Sequence, residues 1–461
     1  MAGDAVTERG NWGSKMAFIF AASGSAIGLG SIWRFPLYVG RHGGAVFVLT
    51  YIIAVIFIGF TVMLAELAIG RHTQSNPVGA YKFIKPNSQW KLLGYLGVVT
   101  GVFILSYYSV IAGWAAGYLY KTVIGAFRHL GAMGGAETWA TSDRIFKKFA
   151  ADPLQMIICL FVIIFLTSFV ISRGVKSGIE RWSKILMPFL FALIVFLAIR
   201  ALTLPGAGKG LAFFLNPDFS KMTPAVILNA VGQAFFSLSL GMGTMLTYGS
   251  YISKKDNLVT SAGWVCFSTT LIAVLAGFII FPTLFATPGL SPETFEAETG
   301  LMFQVLPITI SKLPGGYVFG ILFFILLLIA ALTSTISMLE VPTAFLVDER
   351  KWSRKKAAVI IGIVAFFFGI PAALSNGGVK ILTKWNLMVR MDQVFGTIAL
   401  AVGALLISIF VAYVWKAKNA AGEIMLGNTS FRIRPVWMFC IRFVAPVTIL
   451  IVLVIIVYGL F

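Results

Sequence analysis

Ser23-Gly24-Ser25-Ala26-Ile27-Gly28-Leu29-Gly30-Ser31 sets three glycines and three serines in the middle of an apolar run long enough for a membrane-spanning helix. In hydrocarbon, a backbone that leaves the helix loses its internal hydrogen bonds, so such a break survives only where it lines a cavity or binds something. A small-residue packing face is the other reading of a Gly-xxx-Gly pair. A second stretch of the same character, Phe235-Phe236-Ser237-Leu238-Ser239-Leu240-Gly241-Met242-Gly243-Thr244, favours the break. Two interruptions in corresponding positions are the sequence mark of a transporter site at the membrane midplane, between inverted repeats.

The rest of the chain fits that setting. Its 461 residues are 59% hydrophobic and only 11% charged, whereas soluble domains sit near 45–50% apolar and about 25% charged. A polytopic membrane protein follows. The net charge of +19 would suit nucleic acid, but no compact basic domain offers a phosphate-binding stripe. Cys159, Cys266 and Cys440 lie far apart inside apolar segments and read as small buried hydrophobes, neither a metal site nor a disulfide framework.

At roughly 20 apolar residues per span, about eleven spans are expected, over 14–38, 44–70, 92–125, 153–172, 184–203, 225–252, 259–286, 316–347, 357–374, 393–415 and 436–460. The larger share of Lys and Arg falls on the side that holds the N-terminus, which predicts a cytoplasmic N-terminal tail over residues 1–11 and a C-terminus outside. The acidic Glu293, Glu296 and Glu298 then belong to an outer loop. The sequon Asn428-Thr429-Ser430 falls on the inner side and is discounted as a glycan site. Residues 12–461 form one transporter domain: a first repeat over 12–203, a second over 225–415, and an extra helix over 436–460. The two repeats share no detectable sequence identity, so their symmetry rests on the placement of the breaks.

A broken helix exposes unpaired N–H groups on one half and unpaired carbonyls on the other, which suit a carboxylate and a cation respectively. A zwitterionic amino acid fits both.

The motifs Trp12-Gly13-Ser14, Gly28-Leu29-Gly30-Ser31-Ile32-Trp33-Arg34-Phe35-Pro36, Gly43-Gly44, Glu66-Leu67-Ala68-Ile69-Gly70-Arg71 and Leu332-Thr333-Ser334-Thr335 resemble those of the neurotransmitter:sodium symporter family, in its bacterial amino-acid branch. The resemblance runs from Trp12 to the end. It implies an all-α integral membrane protein with the 5+5 inverted-repeat leucine-transporter fold, helices one and six broken, in a bacterial inner membrane. It also implies sodium-coupled import of neutral, hydrophobic or aromatic amino acids, and no enzyme.

Residue by residue, the resemblance gives the amides of Leu29 and Gly30 and the hydroxyl of Tyr108 to the substrate carboxylate, and the carbonyls of Ala26, Phe236, Ser237 and Ser239 to its ammonium. Gly28 stands where amine-transporting relatives carry an Asp. Ile104, Tyr108, Phe236, Met242, Thr335 and Met338 would surround the side chain, with Ser334 a further substrate-binding residue.

For sodium, the second site keeps its all-oxygen set of Gly24, Ile27, Ala330, Thr333 and Ser334. The first, built from Ala26, Ser31, Ser237 and Thr269, has hydroxyls where asparagines are usual. Chloride dependence is not expected, because Ala273 replaces the span-seven serine that would join Tyr51, Gln233 and Ser237. Arg34 and Asp392 match an outer gate; Arg9 and Asp348 match an inner one, plugged by Trp12 and braced by Tyr251.

Glu66 and Glu340 are expected to be buried carboxylates satisfied by neighbouring backbone. Gly178 and Pro188 frame a stretch of span five that the family unwinds. Two other readings stay open: proton coupling through Glu66 or Glu340, and a binding-only sensor on a transporter scaffold. Oligomeric state is not legible.

Overall fold

The computed structural model describes residues 10–133, 135–286, 301–427 and 431–458. Arg9, the three acidic residues at 293, 296 and 298, and the 428–430 sequon lie outside them. Among the described residues the secondary structure is helical, without strands.

Among the described residues, nine helices are continuous, long and apolar enough to cross a membrane: Ala45–Thr73, Lys91–Val123, Pro153–Ser172, Val175–Leu202, Leu258–Phe285, Gly316–Arg350, Arg354–Leu374, Leu387–Val414 and Arg434–Ile456. They occupy the places expected for spans two to five and seven to eleven. A bent pair, Lys15–Ala26 and Gly30–Arg41, meets at 51° and makes span one. The segment expected as span six is divided into Pro224–Ser237 and Thr244–Gly249.

Several helices start where the sequence provides a side-chain cap. Ser14 accepts from the Ala17 amide, Thr223 from Val226, Asn257 from Thr260 and Ser353 from Lys356, which satisfies N–H groups that the first turn leaves free.

Span five is the main departure in length. It begins at Val175, with an opening π-helical turn over Val175–Glu180, well before the expected residue 184. The basic cluster there reads as a loop in sequence, but the helix absorbs it. Glu180 takes Lys184 at 2.6 Å on one oxygen and the Gly13 amide at 2.8 Å on the other. Pro188 sits inside the helix that follows, Arg181–Leu202.

Span eight runs along span three, and span nine lies across spans three and four. Span one packs on spans five, seven and eight, while the second half of span six lies against span two. The two breaks are thereby flanked by continuous helices. Outward, the surface carries apolar side chains such as Phe161, Phe165, Phe196, Phe267 and Phe367, each about half exposed or more, as a lipid-facing surface requires.

Candidate functional site

Span one stops at the expected stretch, in a narrower window. Ser23 to Ala26 remain helical, and Ile27, with ψ at 75°, turns the chain out. The amides of Ser31 and Ile32 both return to the Gly28 carbonyl, at 3.1 and 3.3 Å, so the Ile27 carbonyl is passed over. In span six the helix ends at Ser237, Ser239 takes a positive φ of 53°, and Gly241 and Gly243 follow at 88° and 78°. Glu66 from span two reaches into this second gap. Its two oxygens accept the amides of Gly241 in the gap at 2.7 Å and of Leu246 in the second half at 3.2 Å, pinning the unwound segment to the helix that follows it. A carboxylate so bound satisfies donors that would otherwise be buried without partners.

Between the breaks lies a tight cavity of about 20 Å³, far below the ~300–1,000 Å³ usual for ligand pockets. Of the expected substrate residues, Ala26, Gly28, Gly30, Ile104, Tyr108, Phe236, Ser239, Met242, Ser334 and Met338 line it. Ser25 and Leu400 line it too, and neither stood out in the sequence as a substrate contact. None of the lining residues carries a formal charge.

Leu29 is buried behind the lining, and its amide donates to the Tyr108 hydroxyl at 2.8 Å. Ser237 sits behind Phe236 and accepts from Gln233 at 2.9 Å. Thr335 is a correction. Its hydroxyl pairs with Thr167 of span four at 2.8 Å and donates to the Leu332 carbonyl, outside the cavity.

The tightness of the site is clearest at Gly28. A Cβ there would stand 2.2 Å from Ser334 Oγ and 2.5 Å from the Tyr108 hydroxyl. No side chain fits without displacing both.

Of the residues expected at the second sodium site, Gly24, Ala330 and Thr333 are neighbours. Gly24 approaches Thr333 closely enough that a Cβ on the glycine would lie 3.3 Å from Thr333 Cβ. Thr333 donates to the Ala330 carbonyl at 3.0 Å, and Ser334 donates to Ser25 at 3.1 Å. A hydroxyl beside a carbonyl is a pair of hard oxygens of the kind an alkali cation takes. At the first site the hydroxyls are turned to neighbours: Ser31 to the Ala26 carbonyl at 3.4 Å, Thr269 to its own helix at Val265, 2.8 Å away. Gln233 holds both the Gly30 carbonyl and Ser237, at 2.8 and 2.9 Å.

The two ends of the site differ. Toward Arg34, a wide vestibule reaches down to Leu29, Tyr108 and Phe236. Arg34 lies over the Phe236 ring at 4.2 Å and stands 4.0 Å from Asp392, whose other oxygen takes the Tyr107 hydroxyl at 2.8 Å. The pair is at the limit of ionic contact.

Toward Trp12 the structure is shut. The Trp12 indole donates to the Tyr248 carbonyl at 3.0 Å, its amide to Tyr251 at 3.2 Å, and the Tyr251 hydroxyl to Glu340 at 2.6 Å. Glu340 also takes Arg354 in a short ion pair. Its partners are therefore side chains, where neighbouring backbone was expected: span eight is helical through Glu340, so its own amides are already engaged. Asp348 accepts the Asn76 amide at 2.9 Å.

A lock that the sequence did not announce ties span two to the short helix Ala417–Met425. Arg71, fully buried, pairs with Glu423 at 2.8 Å and donates to the Asp256 carbonyl at 2.7 Å. His72 joins Glu423 at 3.1 Å.

Two broken helices around an uncharged cavity, with one access route open and the other closed, define a membrane transporter. Comparison with known proteins agrees. The model of the Sodium:neurotransmitter symporter family matches residues 9–143 and 138–460. An uncharacterized sodium-dependent transporter of Bacillus subtilis, YhdH, is 38% identical over 447 residues, covering 96% of each chain. An uncharacterized sodium-dependent transporter of Haemophilus influenzae is 37% identical, covering 97% of this chain and 98% of its own. Among solved structures, MhsT in complex with L-phenylalanine superposes with a TM-score of 0.86 at 42% identity, covering 97% of this chain and 99% of that one. The chain belongs to the Sodium:neurotransmitter symporter family, in its bacterial branch, and is a multi-pass sodium-coupled symporter and not an enzyme.

Proposed function

We propose that this symporter imports neutral L-amino acids with hydrophobic or aromatic side chains, by alternating access across a bacterial inner membrane. The observation that carries this reading is the uncharged cavity between the two breaks. With no formal charge in its lining and no room for a side chain at residue 28, the charges on the cargo must be met by helix ends, which suits a zwitterion. The walls facing a side chain are Ile104, Phe236, Met242, Met338 and Leu400; two thioethers in that wall can follow several apolar shapes. MhsT, a neighbour in fold and sequence, binds L-phenylalanine, which agrees.

In this reading the Trp12 end is cytoplasmic, by the distribution of Lys and Arg, and the structure is closed inward. The repeats over 12–203 and 225–415 move about the site. Gly24, Ile27, Ala330, Thr333 and Ser334 hold the coupling sodium, and the set of Ala26, Ser31, Ser237 and Thr269 holds a second one weakly. Chloride is not required, since Ala273 offers no hydroxyl.

The test is a thermal-shift screen of the twenty amino acids with and without sodium, followed by uptake into proteoliposomes. Leucine-, phenylalanine- or tryptophan-like ligands should stabilise the protein only with sodium present, and uptake should require a sodium gradient. Transport undiminished in sodium-free buffer under a pH gradient would overturn the coupling, and stabilisation by charged or very small amino acids alone would overturn the substrate class.

A further inference from the structure

The last span carries two arginines that the transport site does not use. Arg434 and Arg442 stand two turns apart on the helix Arg434–Ile456, with Met438 between them at i+4. Together with Pro435, Phe439 and Phe443 they line one groove on the outside of the bundle.

The face is lipid-facing by pattern. Val436, Phe439, Phe443, Val447 and Leu450 recur at three- and four-residue steps and are each about half exposed, at 55, 58, 53, 55 and 52%. Neither arginine has a carboxylate partner among the described residues. Among the described residues, the Arg434 guanidinium meets the Met425 sulfur, at 3.9 Å, and the backbone of Arg442 is fixed by Tyr413, whose hydroxyl donates to its carbonyl at 2.8 Å.

At about 1.5 Å of rise per residue, Arg442 lies roughly 12 Å along the helix from Arg434. That is deep enough to be in hydrocarbon and shallow enough to extend its guanidinium back toward the headgroups. An unpaired charge at this depth is costly and ordinarily marks a binding function. The same end holds more positive charge: Lys416, Lys418 and Arg432 are exposed beside it, while the nearby Glu423 is already committed to Arg71 and His72.

We propose that this groove is a binding site for one anionic phospholipid, its phosphate held between the guanidiniums of Arg434 and Arg442 and an acyl chain laid over Phe439 and Phe443. Two planar forks suit the oxygens of a phosphodiester, and a basic pocket beside a membrane helix is a recognised form of headgroup site. The occupant is a lipid and not a soluble anion, because four of the six groove residues are apolar, two of them aromatic, and the groove opens onto the apolar stripe.

The experiment is native mass spectrometry of the purified full-length protein titrated with phosphatidylglycerol, with phosphatidylcholine and inorganic phosphate as separate arms. The intact protein should retain one phosphatidylglycerol at concentrations where phosphatidylcholine dissociates, and millimolar phosphate should not displace it. Arg434→Gln with Arg442→Gln should weaken retention about tenfold, the factor that 1.4 kcal/mol represents. Arg442→Lys, which keeps a charge but loses the fork, should weaken it less and gives a milder variant if the double one misfolds. Lys351→Gln with Lys355→Gln, two exposed lysines at the same end, should change nothing. Retention unaffected by the arginine substitutions, an equal loss in the lysine control, or displacement by phosphate alone would each overturn the proposal.

Discussion

The amide of Leu29 donates to the hydroxyl of Tyr108 at 2.8 Å, across the break in span one. That amide has no place in the helix ladder, and the tyrosine is its partner in this state. A substrate carboxylate arriving at the helix end would meet a donor already aimed and held by an aromatic ring packed in span three.

Tyr108→Phe removes this hydroxyl and leaves a buried amide without a partner, a loss of about 1–3 kcal/mol. The expected outcome is a fall of ten-fold or more in amino-acid affinity, with an unchanged sodium response in the absence of substrate. Thermal-shift titrations of substrate at fixed sodium, and of sodium alone, separate the two.

Gly28→Ala puts a methyl into a space where Ser334 Oγ would lie 2.2 Å away. Overpacking of this kind costs about 1–3 kcal/mol. Uptake should be abolished while the protein still folds with a lowered melting temperature. A companion change of Ser334→Gly should restore part of the melting temperature, though not sodium coupling, since it removes an expected sodium ligand.

Sodium dependence should divide unevenly between the two sites. Thr333→Ala is expected to raise the sodium concentration for half-maximal uptake about tenfold or more, equivalent to 1.4 kcal/mol per factor of ten. Ser31→Ala, whose hydroxyl is turned to the Ala26 carbonyl, should change it far less. Sodium titrations of uptake in proteoliposomes decide this, and equal effects would reverse the ranking of the sites.

Glu423→Ala leaves the Arg71 guanidinium buried without a carboxylate. Breaking one side of a buried pair costs about 3–5 kcal/mol, whereas replacing both members by apolar residues is often neutral. The single variant should lose much of its thermal stability in detergent, and Arg71→Met combined with Glu423→Leu should regain most of it. Melting curves of the three proteins test this directly.

Much of this was legible in the chain, for reasons that can be named. Glycine and serine inside an apolar run are a strong local anomaly, so both breaks show in the sequence, and the breaks fix where the site lies. Arg34 and Asp392 stood out as charges within membrane segments, while their pairing, and the part of Trp12, came from the resemblance alone.

What was hidden depended on long-range pairing. Arg71 and Glu423 are 352 residues apart, and nothing in either neighbourhood indicates the other. Leu400 lines the cavity as one leucine in an apolar run, with no chemistry to set it apart. Thr335 follows Ser334 by one residue, which turns it about 100° round the helix and onto Thr167. Span five's start was misplaced because a helix can carry a basic cluster when one glutamate, Glu180, binds both a lysine and a neighbouring amide.

The turned hydroxyl of Ser31 bears on how far uptake can run. A cycle that carries one sodium with a neutral zwitterion moves one elementary charge, and 100 mV of membrane potential contributes about 2.3 kcal/mol to it. That corresponds to roughly fifty-fold accumulation at tenfold per 1.4 kcal/mol, and two sodium ions would square it to roughly two-thousand-fold. In the proposed coupling, the concentration at which a cell's uptake stalls would turn on whether the site at Ser31 and Ala26 holds an ion.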